Sequence, residues 1–474
     1  MPDRNLIVAF EIGSSRIKGA VASVDPNGAL TVLAIEEEPL IDAVRYGVVR
    51  KVEEVSKRIQ SIKLKLENYA AVSPGKIKRV FVSIGGRSLR STTISVEKKF
   101  PEETEITDLV IRQLKEQALA LGADNAEREV LAVIPRDFVV DNIPQKNPRE
   151  IYAHSIQADI CLVTGRATNT LNIKRAITER LDIEIQSPIV RQIAIGGIVL
   201  TDEEKSRGCM LVDFGAETTT VSIYRNNGLI YLAAIPIGSR TITRDLTNIS
   251  GVESRAEEIK KTVGNISPDD SAQPMGSDGM DTTEINNYIR ARAGEIITNI
   301  MEQPIYAGMK LSDLKGGIVV VGGGTRLRGF NAMLRSQSGL SVRQGMPSNT
   351  IRIADHRIDP SAAVDIIAVL AVAARVSKEN PCVVYPEKAP QTEADNTRGG
   401  GRTEGEDETI SRIGSDMDGD LSDLEDEDER PAKKKDKKKT VDQKGTKNLL
   451  SFFGDKLMRI LSEESNDSDQ DDND

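Results

Sequence analysis

A chain of 474 residues exceeds what one hydrophobic core usually supports, so two or more domains are expected. A net charge of −10, no Trp and 3% aromatic residues disfavour a nucleic-acid partner, which calls for a basic face with stacking side chains. Cys161, Cys209 and Cys382 are far apart and form no C-x-x-C, which argues for a reducing compartment and against a disulfide framework or zinc site, while His154 and His356 read as ordinary structural residues.

No apolar run approaches the ~20 residues needed to cross a bilayer. The start, MPDRNLIVAFEIG, lacks the long apolar core and cleavage site of a signal peptide, so a cytoplasmic protein is expected. The chain opens with an apolar strand, then Glu11, Ile12, Gly13, Ser14, Ser15 and Arg16, then alternation at Ile17, Gly19 and Val21. This reads as strand, tight turn, antiparallel strand. A core-facing helix follows over 52–69, with Val52, Val55, Ile59, Ile62 and Leu66 at helical spacing. A strand over 80–86 ends in glycines, and residues 87–155 read as a small α+β insert. Within it, strands are expected at 92–96, 130–140 and 156–163, and a helix at 108–121.

A helix over 167–181 and the segment 183–200 lead to MLVDFGAETTTVSIY, which repeats the opening device. Its first arm ends in Asp213, turns through Phe214, Gly215, Ala216 and Glu217, and alternates again at Thr219, Val221 and Ile223. Such a turn can aim successive backbone N–H groups into one concavity that suits a phosphate, and equally can be a plain structural hairpin. Asp213, at the end of its strand, can hold a hydrated cation. Two acid-x-Gly hairpins some 200 residues apart could clamp a nucleotide's phosphates from both sides. A third element, GIVVVGGGTRLRGF, runs a buried strand into Gly322, Gly323 and Gly324, where backbone can approach a ligand closely.

This ordered trio resembles the actin/Hsp70-type ATPases: E-I-G-S-S-R, then D-F-G-A-E-T-T-T, then V-G-G-G-T-R. A further match is Ala256, Glu257 and Lys260 in AEEIKKTVG. Within that superfamily the chain is most similar to the FtsA family, bacterial actin homologues that tether the cell-division ring to the membrane. The resemblance covers about residues 5–375 and the extreme C-terminal helix, and its most specific part is RGCMLVDFGAETTTVSIYRNNGLIYLAAIPIGSRTITRDL. It implies an α/β, actin-like, two-lobed ATPase fold with an FtsA-type α+β insert, then a disordered linker and an amphipathic helix. The first lobe would comprise 1–84 and 161–196 around an insert at 85–160. The second would comprise 197–245 and 315–376 around a mostly helical part at 246–314, with a loop over 267–281.

The resemblance also implies site residues. Gly13, Ser14, Ser15, Arg16, Gly215, Ala216 and Thr218 would bind the phosphates of ATP. Glu257, Lys260, Gly322, Gly323 and Arg326 would flank the adenosine, and Glu11 and Asp213 would hold Mg2+ through water. Arg290 and Arg292 match the family's I-R-A-R element and would bind the C-terminal peptide of FtsZ, the tubulin-like ring protein; a solvated charged face is the plain alternative. Self-assembly into filaments and contacts with other division proteins are implied as well. The chain departs from the family pattern where Glu11 replaces Asp, Ala216 and Glu217 replace two glycines, and Thr220 replaces an acid. ATP binding that favours assembly, with slow or no hydrolysis, is therefore expected.

Residues 377–445 are dominated by Pro, Gly, Ser, Thr and charge and cannot bury enough apolar surface to offset chain entropy. After KKKDKKK comes an expected helix over 446–462, in which Leu449, Leu450, Phe453, Leu457, Ile460 and Leu461 fall within about 120° at ~100° per residue, with Phe452 at one edge. It reads as an interfacial helix that inserts apolar side chains while the lysines attract anionic lipid; a partner-protein helix is the alternative. The acidic end, 463–474, would be repelled by such a surface. Two other classes share the core: an FtsA-like pilus-assembly ATPase, which should lack the lipid-binding helix, and a sugar or carboxylate kinase, which would need a catalytic acid in the cleft.

Overall fold

The computed structural model describes residues 5–122, 127–267, 281–376 and 381–386. The expected membrane helix and acidic tail lie outside these residues, as do most of the expected linker and nearly all of the expected loop over 267–281. The linker expected from 377 is corrected at its start: Val383–Val384 pairs antiparallel with Lys76–Ile77, and Cys382 and Val383 are buried in the first core, because these apolar residues add to an existing sheet edge.

Two units share the same order of five strands, and the first has a sixth, Arg352–Ile353, added in parallel beyond Leu30–Pro39. In the first, Arg16–Val24 pairs antiparallel with both Asn5–Ile12 and Leu30–Pro39, while Arg79–Ile84 and Glu184–Val190 add in parallel on the other side of Asn5–Ile12. In the second, Thr219–Arg225 pairs antiparallel with Cys209–Phe214 and Gly228–Ile235, while Ile318–Val321 and Val342–Gln344 add in parallel beyond Cys209–Phe214. Each hairpin of the sequence is thus the centre of its unit. Its strands are buried on both faces, which is why they read as near-continuous apolar runs.

Period-2 alternation divides the second centre strand between two cores. Met210, Val212 and Phe214 pack with Val320 and with helix Thr282–Tyr306, whereas Cys209 and Leu211 face the first unit's core with Val319 and Val321. Asp213 continues the face of Cys209 and Leu211, so the polar end of that strand opens toward the first unit. Helix Val364–Val376, rich in Ala and Val, packs against Asn5–Ile12 and helix Arg191–Val199 and buries Val364, Ile366, Ile367, Ala368, Val369, Leu370 and Ala373. Helix Val52–Glu67 buries Val55, Ile59, Ile62 and Leu66 on the first sheet, about 8 kcal/mol of gross apolar burial.

The insert builds its own core from Val96, Ile106, Val110, Leu114 and Ile160 beneath helix Asp108–Gly122. Its strands Arg90–Glu105, Arg128–Val140 and Tyr152–Arg166 are longer than the apolar pattern suggests, because antiparallel partners carry polar residues such as Lys98 and Lys99 along. The insert is not a separate sheet. Arg90 pairs with Ala233, and the Ala234 N–H donates to Leu89 O at 3.2 Å, so insert and second unit form one nine-stranded sheet. The join is short, one residue pair, and it is reinforced by the Leu232 N–H, which donates to Ser91 Oγ at 2.8 Å.

Candidate functional site

The two hairpin turns share one geometry. The Gly13 N–H donates to Arg16 O at 3.0 Å, and the Gly215 N–H to Thr218 O at 2.9 Å. A Cβ on either glycine would lie 3.0 Å from the same carbonyl of its turn. The second turn is braced by the start of helix Ser239–Ser250, whose Ser239 and Arg240 N–H groups donate to Gly215 O and Ala216 O. The third element closes against them. Gly322, at φ +93°, sits where a Cβ would be 2.6 Å from Asp213 Oδ1 and from Phe214 O, so only glycine fits.

All three elements line one cleft of about 840 Å3, together with the helix Glu253–Thr262. Every residue expected at the phosphates (Gly13, Ser14, Ser15, Arg16, Gly215, Ala216, Thr218) borders it, as do Glu257, Lys260, Gly322, Gly323, Arg326, Glu11 and Asp213. Several are already engaged. Arg16 pairs with Glu37 at 2.6 Å, and Arg326 pairs with Asp359. Lys260 binds Glu257 at 2.6 Å, Thr243 Oγ1 at 2.8 Å and Ser239 O at 3.1 Å. Burial pulls the Lys260 ammonium below its usual range. Burial alone would raise Glu257, but the charge of Lys260 together with hydrogen bonds from Lys260, Thr243 and Lys261 outweighs it and lowers the carboxyl's pKa.

Two cations at the floor of the cleft escaped the sequence reading. Lys18 stands opposite Glu11 in the first hairpin and binds both carboxylate oxygens of Asp365 and Ala362 O at 2.7 Å. Arg191 opens the helix Arg191–Val199 and reaches both hairpin acids: Nη1 lies 2.6 Å from Glu11 Oε1, and Nη2 lies 3.0 Å from Asp213 Oδ2. The available signal was a lone charged residue in the stretch 188–200, which is apolar apart from Gln192. Burial raises the pKa of Glu11, with Asp365 adding to it, and burial likewise raises Asp213. Burial disfavours the Arg191 charge, but Asp213 and Glu11 outweigh it and hold the guanidinium firmly protonated.

The expected Mg2+ between Glu11 and Asp213 does not fit these residues. The guanidinium bridges the two acids, and a divalent ion about 4 Å from it would meet about 8 kcal/mol of repulsion at an effective dielectric near 20. Among the described residues no group of three or more acid, His or Cys side chains could hold a metal ion.

Glu217, whose charge threatened the phosphate turn, is 2% exposed and thoroughly neutralised. Its Oε1 lies 3.1 Å from Arg240 Nη1 and 3.3 Å from both Arg244 Nη2 and Arg45 Nε. Its Oε2 accepts the Tyr46 N–H at 2.5 Å. Because Arg45 and Tyr46 belong to the first half and Arg240 and Arg244 to the second, this carboxylate ties the halves together across the cleft.

The structure does not bring Arg290 and Arg292 together, since two residues on a helix are about 200° apart. Arg292 clamps Asp245 through Nε at 2.6 Å and Nη2 at 3.1 Å and also pairs with Glu295, joining two helices. Arg290 is exposed, its nearest partner Asn287 at 3.5 Å. Leu449, Leu450, Phe452, Phe453, Leu457, Ile460 and Leu461 lie outside the described residues.

Comparison with known proteins agrees with this architecture. A family model described as "Cell division protein FtsA" matches residues 210–367, and one described as "SHS2 domain inserted in FTSA" matches residues 86–164. The chain is 29% identical to the cell division protein FtsA of Porphyromonas gingivalis over 402 residues, covering 81% of each chain. It is 27% identical to that of Borreliella burgdorferi, covering 77% of this chain and 90% of the relative. The solved PilM-PilN type IV pilus biogenesis complex superposes with a TM-score of 0.56 at 16% identity, over 78% of this chain and 98% of that one, a likeness of fold. With the insert and the second unit each matching models specific to one family, in the order this fold requires, the chain belongs to the FtsA family of cell-division proteins.

Proposed function

We propose that this protein binds ATP in the cleft, assembles into actin-like filaments and tethers the FtsZ ring to the inner face of the cytoplasmic membrane at the division site. The observation that supports it best is the meeting of two like turns and the Gly322 turn around one cavity large enough for a nucleotide. Backbone N–H groups and the lysine and arginines around the turns suit a polyphosphate, and Glu257 with Lys260, on a helix that borders the same cleft, would flank the adenosine. Arg290, free of a strong internal partner, is the residue available to an acidic FtsZ tail, while Arg292 supports it by fixing the helix. The 446–462 segment supplies the membrane contact, weak singly and effective when a filament presents many copies. Turnover is slow or absent, below roughly 1 s⁻¹.

Co-sedimentation with anionic liposomes, ATP and an FtsZ-tail peptide tests the whole reading. Full-length protein should pellet with vesicles and carry the peptide, a chain lacking 446–474 should stay in solution, and Arg290→Glu should lose the peptide alone. Vesicle binding that survives the truncation would refute the anchor. A pilus-assembly role shares the fold, and it would be favoured by failure of both vesicle and peptide binding.

A further inference from the structure

We propose that the cleft binds nucleotide without a divalent metal, because the Arg191 guanidinium occupies the place between Glu11 and Asp213 and serves as the site's built-in cation. The inference rests on the nucleotide reading above and adds the rule by which phosphate charge is balanced.

The geometry assigns this role in three ways. First, Arg191 is held from both sides. Glu11 and Asp213 lie against separate nitrogens at 2.6 and 3.0 Å, and the guanidinium runs beside Gly85. The side chain starts at the first residue of a packed helix, so its base is as fixed as its tip. Second, each acid comes from a different hairpin, so one guanidinium spans the two halves of the cleft floor, as a bridging metal ion would. Third, Asp213 Oδ2 is buried with no hydrogen-bond partner, so the guanidinium 3.0 Å away is the charge that offsets it. Lys18 completes the floor through its pair with Asp365. Arginine suits such a post because its charge is permanent and its fork of donors can face two carboxylates at once.

The test is an equilibrium titration of the full chain with ATP, in excess EDTA and in excess Mg2+, paired with an Mn2+ titration followed by electron paramagnetic resonance. Wild type should bind ATP with dissociation constants that agree within about threefold in the two conditions, and should show no tight Mn2+ site in the absence of nucleotide. Arg191→Gln leaves two carboxylates facing each other, and should bind ATP about tenfold more tightly with Mg2+ than with EDTA while gaining an Mn2+ site. Arg191→Lys keeps the charge and should remain indifferent to the metal. Wild-type binding that requires Mg2+ overturns the proposal, as does Arg191→Gln that stays indifferent. Should Arg191→Gln fail to fold, which melting curves report, the wild-type pair of titrations decides alone. Absence of ATP binding under both conditions overturns the nucleotide reading instead, so the two failures are distinguishable.

Discussion

The two hairpins share a turn and differ in charge. Gly13 and Gly215 make the same closing hydrogen bond and face the same steric limit, yet Ser15 in one turn corresponds to Glu217 in the other, and the residue opposite the acid is Lys18 in one and Thr220 in the other. The first hairpin carries a cation, but Lys18 pairs with Asp365, and Glu11 shares Arg191 with Asp213. The second borrows: Asp213 from Arg191, and Glu217 from Arg45, Arg240 and Arg244. Backbone geometry thus repeats where the turn must close, while the charges are distributed so that neither half of the cleft is electrically complete without the other.

Breaking that dependence should show in stability. The largest effect belongs to Glu217→Gly, which takes a buried acid from Arg244, Arg45 and Arg240, leaving Arg45 to Asp42 and Arg240 to Glu253, and strands the Tyr46 N–H. A loss of about 4 kcal/mol is expected from denaturant midpoints, against less than about 1 for Ser15→Gly at the equivalent position. Removing the carboxylate also frees positive charge beside the cleft, so ATP should bind more tightly to that variant. Gly322→Ala follows at about 3 kcal/mol, combining a positive φ with contacts at 2.6 Å, and a melting curve would register it.

A buried acid that borrows no cation sharpens the contrast. Glu129, in the insert, has Thr170 as its hydrogen-bond partner, and burial pushes its pKa from 4.5 to about 7. The folded state therefore holds this proton more tightly than the unfolded one, and stability falls as pH rises from about 4.5 through 7. Glu129→Gln should consequently outlast wild type by about 2 kcal/mol at pH 8 and lose that advantage near pH 5, read from unfolding curves at the two pH values. The smallest effect is a matched pair: Gly13→Ala and Gly215→Ala should each cost about 1 kcal/mol, and unequal losses would show that the turns are not equivalent.

What could be read from the residues was local. Acid, glycine and alternation lie within fifteen positions in each hairpin, and Val55, Ile59, Ile62 and Leu66 repeat at helical spacing, so these elements declare themselves. What could not be read depends on distance along the chain. Arg191 is 180 residues from Glu11, and no short window shows that a lone arginine in an apolar stretch will meet two acids. Arg290 and Arg292 look alike in sequence, and only the packing of Asp245 separates a strut from a free side chain. Likewise nothing local marks the π-helical turn Arg175–Glu179 inside an otherwise helical stretch.

The seam between Arg90 and Ala233 has a mechanical consequence. With insert and second unit sharing one sheet, the insert cannot swing like a door on a pin while that seam holds. Any rocking of the second unit about the cleft either carries the insert along as a stiff outrigger or unzips a short run of backbone pairing. Whatever docks on the insert's outer strands thus pulls directly on the wall that carries Asp213.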